Sequence, residues 1–229
     1  MTGIGVLTGL AREAGVLRRA DATGTQFRIG VSAMNADRCR AEAARLAVAR
    51  STVLVSFGLA GGLVPHRRPG DLVLPRAVRT PAGERWDLDD GWRAALAAKI
   101  RAVYDEAAVV SVDAPVATPA AKRDLAARTG APIVDMESAV LAEAAAEHGL
   151  PVIVVRAVCD PVGRRVPDGM HALNDSEGRL RPARLPALVA HLPGVIGLAR
   201  ESGRAMRALR TAADALVQLD TARGRPATS

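Results

Sequence analysis

Apolar residues fall along this chain in short blocks, and polar residues break them up at two different periods. Residues 4–7, 52–57, 109–112 and 152–158 are nearly unbroken apolar runs of strand length, the pattern expected of strands buried on both faces. Residues 25–31 and 72–74 read as further strands. Between these runs the apolar positions recur at helical spacing, from Leu10 onward, over 37–50, and from Thr118-Pro119 to about Arg128. Residues 131–161 hold the most compact unit: a short strand, a turn carrying Asp135-Met136-Glu137-Ser138, an alanine-rich helix, and an apolar strand running out into Asp160-Pro161. Glycine-rich residues 58–63 read as a turn, 80–93 as an irregular surface loop anchored by Trp86 and Trp92, and 162–182 as loop. The tail from Leu185 reads as helix interrupted at Pro193-Gly194, with a frayed end. Strands alternating with helices predict an α/β fold, a three-layer α/β/α sandwich on a mixed, largely parallel central sheet. The expected organisation is one domain over 1–229, with 185–229 as a helical C-terminal tail.

Composition narrows the chemistry. Of 229 residues, 49% are hydrophobic and only 2% aromatic, so the core must be built from Ala, Val, Leu and Ile. The net charge of +7 comes from arginines scattered along the chain, without the basic clusters and interleaved aromatics of a nucleic-acid surface. Cys39 and Cys159 stand alone, and the four histidines have no metal-ligand spacing. No metal site and no cofactor is therefore expected. Ser32, Ser56 and Ser138 lack the context of a serine nucleophile. The N-terminus lacks a signal-peptide pattern and no apolar run has the length of a membrane span, so a cytoplasmic location is expected.

Two strand exits deliver carboxylates, Glu137 and Asp160, and ligands of open α/β sheets collect at such exits. Each residue also has an ordinary structural explanation. Glu137 suits a first helical turn capped by Asp135, whose field would keep it ionised. Asp160 suits a turn before proline, and its apolar neighbours would push its pKa upward, as befits a general acid. Arg156 is the odd cation in an apolar strand and could pair with either acid. Glu13 lies just past the first strand's carboxyl end and also reads as an exposed helix acid.

Taken together, Glu13, GLAGGL at 58–63, PGDLVLP at 69–75, VDMES at 134–138 and VVRAVCD at 154–160 resemble the purine nucleoside phosphorylase and methylthioadenosine/S-adenosylhomocysteine nucleosidase superfamily. TGLAREA at 8–14, SFGLAGGL at 56–63 and PVATPAAK at 115–122 look most like its hopanoid-associated branch. The resemblance implies an enzyme releasing adenine from a nucleoside, adenosylhopane above all, by hydrolysis or phosphorolysis. Asp160 would protonate N7, Glu13 would activate water, Glu137 would hold the ribose hydroxyls over Met136, and Arg156 would support the acids. Ala60, Gly61 and Val116 would line the nucleoside site.

The chain departs from the family pattern at three places. Leu59 replaces a serine of the small nucleosidases, Pro115-Val116 lack the stacking aromatic, and Ser32-Ala33-Met34-Asn35-Ala36 replace a glycine-rich loop. Phosphate would be a co-substrate only with a site such as Arg12, Arg38 or Arg40 could offer. The alternatives are a methylthioadenosine/S-adenosylhomocysteine nucleosidase, a general purine nucleoside phosphorylase, and, in another class, a non-catalytic nucleotide-binding module. The implied partners are a small or lipid-linked adenine nucleoside and further copies of the chain in a homo-oligomer. Peripheral contact with a membrane could accompany a lipid-linked substrate; no nucleic acid is implied.

Overall fold

The computed structural model describes residues 3–100, 103–104, 107–166 and 192–219. The chain runs β1 (Gly3–Thr8), α1 (Ala11–Ala20), β2 (Phe27–Val31), α2 (Ala36–Val48), β3 (Ser51–Gly62), β4 (Leu72–Leu74), β5 (Ala77–Arg79) and β6 (Arg85–Asp87). It continues through α3 (Asp90–Ala97), β7 (Val103–Tyr104), β8 (Ala108–Ser111), α4 (Pro119–Thr129), β9 (Ile133–Asp135), α5 (Ser138–Glu147), β10 (Val152–Asp160) and α6 (Leu192–Val217).

β3 is the axis of the sheet. It pairs in parallel with β1 over 51–56 on one side and with β10 over 54–61 on the other, and β1 passes the parallel order on to β2. Its far end, Gly61-Gly62, pairs antiparallel with β9, and the sheet continues through β8, β5 and β6. β4 runs antiparallel to β10 at the other edge, followed by β7. The result is the mixed, largely parallel sheet between helices that the alternating pattern predicts.

Alternation along the buried strands explains why they read as continuous apolar runs. Ile153, Val155 and Ala157 of β10 join one core with Val16 and Leu17 of α1, Trp92 of α3, and Ala205 and Leu209 of α6. Val152, Val154 and Val158 join the opposite core with Cys39 and Leu46 of α2 and Leu141 of α5. A sheet covered on both faces has no polar face to alternate with. A smaller cluster of Leu63, Val110, Leu125, Ala131 and Val134 seats α4.

Three expectations give way. Residues 58–62 belong to strand β3, not to a turn, because their glycines admit close neighbours rather than a chain reversal. Residues 80–93 are not an irregular loop: β6 pairs with β5, and Asp89 caps α3 by accepting the Trp92 N–H at 2.8 Å. Trp92 is buried in the core and Trp86 is half-buried. Pro193-Gly194 do not interrupt α6, since the helix begins at Leu192 and proline is tolerated in a first turn, where its missing N–H has no helical partner to lose. Residues 162–166 carry no helix or strand. The remainder of the expected loop, 167–182, lies outside the described residues, as do 185–191 of the tail and the end from 220. Among the described residues, no helix is long and apolar enough to cross a membrane.

Leu209 is wholly buried where α6 meets β10. Leu209→Ala is expected to lower unfolding stability by about 2–5 kcal/mol. Urea titration checks this, and a loss below about 1 kcal/mol would mean that α6 does not hold the sheet.

Candidate active site

β10 places Arg156 on the face that Val154 and Val158 share, towards α2 and α5. No apolar contact can neutralise a guanidinium there, so the neighbouring elements supply polar ones. Arg156 Nε donates to Asp135 Oδ2 at 2.7 Å, and Nη2 to Ser56 Oγ at 2.6 Å, Ser138 Oγ at 3.2 Å and Glu137 Oε2 at 3.4 Å. Ser138 Oγ also donates to the Asp135 carboxylate, and Ser138 N–H donates to Asp135 Oδ1 at 3.3 Å. One arginine thereby ties β3, the end of β9, the start of α5 and β10 together. Removing one member of such a buried ion pair typically costs about 3–5 kcal/mol, because the other charge is left without compensation.

The antiparallel course of β9 decides where Glu137 goes. With Val134 opposite Gly61, the chain after Asp135 heads back along β3 towards Gly58. Glu137 becomes the N-cap of α5 but makes no cap hydrogen bond with its side chain. The carboxyl turns instead to Arg156 and to Ser32 Oγ, which donates to Glu137 Oε1 at 3.4 Å. The helix end does not keep it ionised as the sequence suggests. Burial, then the nearby Asp135 and Glu13, push its pKa from 4.5 up to about 7, against the opposing pull of Arg156. Asp135 serves chiefly as the counter-ion of Arg156.

Glu13 is not an exposed helix acid; it is only 2% exposed. It stands at the third position of α1 and reaches back to the N-cap, accepting Leu10 N–H at 2.8 Å on Oε2 and Leu59 N–H at 3.0 Å on Oε1. Burial raises its pKa, opposed by those two N–H groups and the charge of Arg156. Two glycines make the approach possible. A Cβ on Gly9 would stand 2.7 Å from Glu137 Oε1 and 3.5 Å from Glu13 Oε2. On Gly58 it would meet Arg156 Nη1 at 2.7 Å and the Glu13 carboxyl carbon at 3.0 Å. Both carboxyl groups therefore border one point beside Gly9.

Asp160 forms a second arm. Its register partner is Gly61 of β3, the residue that also faces Val134 of β9. The sequence leaves Asp160 among apolar neighbours, with Arg156 as its nearest cation. In the structure its cation is Lys122 of α4, wholly buried, which donates to Asp160 Oδ2, to Pro161 O at 3.1 Å and to Arg164 O at 3.1 Å. Cys159 Sγ donates to Asp160 Oδ1 at 2.9 Å, and burial and the Asp160 charge raise the pKa of that thiol well above its ordinary value.

The other expected residues divide. Ala60 is buried beside Gly61, Met136 is half-buried beside Glu137, and Val116 packs on the cluster under α4. Of the arginines considered for phosphate, Arg40 is paired with Asp37 on the surface at 2.7 Å and Arg12 is exposed on α1. Sequence reasoning missed Lys122, Ser56 and the pairing of Asp135 with Arg156. A lysine on a helix with no apolar stripe gives no sign that it points inward. Among the described residues, no group of three or more His, Cys, Asp or Glu is arranged to hold a metal.

Comparison with known proteins gives a consistent picture. Residues 22–191 match the family model described as the phosphorylase superfamily. A futalosine hydrolase of Streptomyces coelicolor is 31% identical over 154 residues, which covers 57% of this chain and 65% of that protein, less than two thirds of the relative's length. Among solved structures, the 5'-methylthioadenosine/S-adenosylhomocysteine nucleosidase of Neisseria meningitidis, in complex with methylthio-immucillin-A, superposes with a TM-score of 0.72 at 15% identity, covering 95% of this chain and 99% of that one. The futalosine hydrolase of Helicobacter pylori gives a TM-score of 0.69 at 15% identity, covering 93% and 97%. At such identities these likenesses establish the fold.

A glutamate whose pKa is raised by folding favours the folded state as the neutral acid. Its contribution is complete below the unfolded value of 4.5 and is lost as pH climbs through about 7. Glu137→Gln removes that loss, so its melting temperature relative to the wild type is expected to rise between about pH 5 and about pH 8. A difference independent of pH would contradict the burial of a titrating acid.

Proposed function

The chain belongs to the phosphorylase superfamily, and on that premise we propose that it is a nucleosidase that cleaves the N-glycosidic bond of an adenine nucleoside with water. The observation that carries this reading is the convergence of two buried carboxyl groups, Glu13 and Glu137, on one point beside Gly9. Cleavage of an N-glycosidic bond builds positive charge on the sugar and negative charge on the base, so it needs carboxylates near the first and a proton source near the second. Glu13 and Glu137 supply the one and Asp160 the other.

In this scheme the bond between C1′ and the purine nitrogen breaks and its electron pair goes to the base, while N7 takes a proton from Asp160. Water attacks C1′ and gives its proton to Glu13, whose raised pKa makes it a stronger base than an exposed carboxylate. Glu137 holds the ribose hydroxyls, Met136 lies under the sugar, and Ala60, Gly61 and Val116 line the base side. Arg156 stays out of the reaction and holds Glu137 in place. Adenine as the base finds support in the 5'-methylthioadenosine/S-adenosylhomocysteine nucleosidase whose fold this chain shares.

Charge favours water over phosphate. Glu13, Asp135 and Glu137 surround Arg156, whose guanidinium is already engaged by Asp135. A phosphate dianion placed among those acids would be repelled in surroundings that screen it poorly. For the far end of the substrate we propose the hopanoid chain of adenosylhopane. The likeness of TGLAREA, SFGLAGGL and PVATPAAK to that branch supports it.

The test offers adenosylhopane, methylthioadenosine, S-adenosylhomocysteine, futalosine and inosine, each with and without phosphate, and measures released base. Release without phosphate, fastest from adenosylhopane, is expected. Strict dependence on phosphate would overturn hydrolysis, and preference for methylthioadenosine would overturn the hopanoid substrate. Absence of release from every compound would favour a binding module. Glu13→Gln is expected to lower kcat about a hundredfold or more, the range typical of a lost general base.

A further inference from the structure

The structure gives Lys122 a place that the mechanism above does not use. It is one of the largest wholly buried side chains, together with Arg93 and Arg156, on a helix whose other buried residue is Leu125. A lysine is seldom buried unless its charge is met, and an apolar residue of similar size usually serves stability as well or better. Here each of three ammonium protons has its own acceptor at the exit of β10: Asp160, Pro161 O and Arg164 O.

The segment it grips is fastened from other directions too. Val166 N–H donates to Ala117 O at 2.9 Å, and Arg164 is held by Glu201 of α6 at 2.5 and 3.1 Å. Gly197 of α6 lies so close to Arg164 that a Cβ there would be 2.9 Å from its guanidinium. The Asp160 carboxylate is consequently not free to rotate. Oδ2 is fixed on the ammonium, and Oδ1 faces the Cys159 thiol, a weak donor that a purine can displace.

We propose that Lys122 is the positioning residue for proton transfer to the base. It fixes which oxygen of Asp160 meets N7, and its charge stands opposite the carboxylate that forms when the proton leaves. Asp160 Oδ1 takes up a proton from solvent as the nucleoside displaces the thiol, that proton passes to N7, the glycosidic electron pair goes to the purine, and Lys122 stays an ammonium throughout. The negative charge left on Asp160 therefore appears beside a cation already in place, as preorganised electrostatic stabilisation requires. This rests on the nucleosidase reading of the site.

The experiment measures adenine release by the wild type, Lys122→Met, Asp160→Asn and the double variant, with melting curves to establish folding. Lys122→Met is expected to lower kcat about a hundredfold with KM within about threefold, because the interaction matters only as charge develops. The double variant is expected to be no slower than Asp160→Asn, since residues acting as one unit do not add. A wild-type kcat in Lys122→Met, or losses that multiply in the double variant, would overturn the role while leaving the nucleosidase reading intact. No release by the wild-type protein would overturn that reading and this inference with it. If Lys122→Met does not fold, Lys122→Arg carries the test. Its planar fork cannot place three donors around one nitrogen, so kcat is expected to fall about tenfold, again with no further loss on Asp160→Asn. Full activity in Lys122→Arg would overturn the proposal.

Discussion

The ion pair of Arg156 with Asp135 is the constraint from which the site follows. A guanidinium on a buried strand position must be compensated, and Asp135 does so across two elements, with Ser56 and Ser138 taking further donors. That fixes the end of β9 against β10 and sets where α5 begins. Glu137, two residues beyond Asp135, then lies over Gly9, next to Glu13. The acid is held there against its own desolvation, and its raised pKa records the cost. A fold optimised for stability alone would not gather Glu13, Asp135 and Glu137 around one arginine, so the cluster marks a functional place more strongly than any one member does.

The two arms of the site are built on different principles. The first, which we propose holds the sugar, is a network in which acids outnumber the cation, suited to a positive centre passing between them. The second, which we propose meets the base, is a balanced pair, Lys122 with Asp160, clamped by α4 on one side and by the contact of Arg164 with α6 on the other. β3 joins them, since Gly58 opposes Arg156 and Gly61 opposes Asp160 along one strand pairing whose register shifts between Val158 and Asp160. Distance between the arms is therefore a property of a central strand, the stiffest kind of support available.

The layer architecture was legible from the chain because β1, β3, β8 and β10 carry dense apolar runs and α4 has a start signal in Thr118-Pro119. Glu137 and Asp160 were legible as strand-exit acids. Other features were hidden for definite reasons. Residues 58–62 look like a turn because glycine signals both reversal and close approach, and only the positions of Arg156 and Glu13 tell which applies. Asp89, three residues ahead of Trp92, carried a cap signal that the surrounding polar stretch obscured. Glu13 shows no burial in its local pattern, since the Leu59 amide that holds it lies 46 positions away. Lys122 escaped for the same reason: its partner is 38 positions away, on a strand end.

The central claim is that water, activated beside Glu13, becomes bonded to C1′ of the sugar. The most direct measurement is turnover of an adenine nucleoside in water enriched with the heavy oxygen isotope, with phosphate present and mass analysis of the sugar product. The account predicts free sugar carrying the heavy oxygen at C1′. A sugar 1-phosphate without solvent oxygen at C1′ would contradict it.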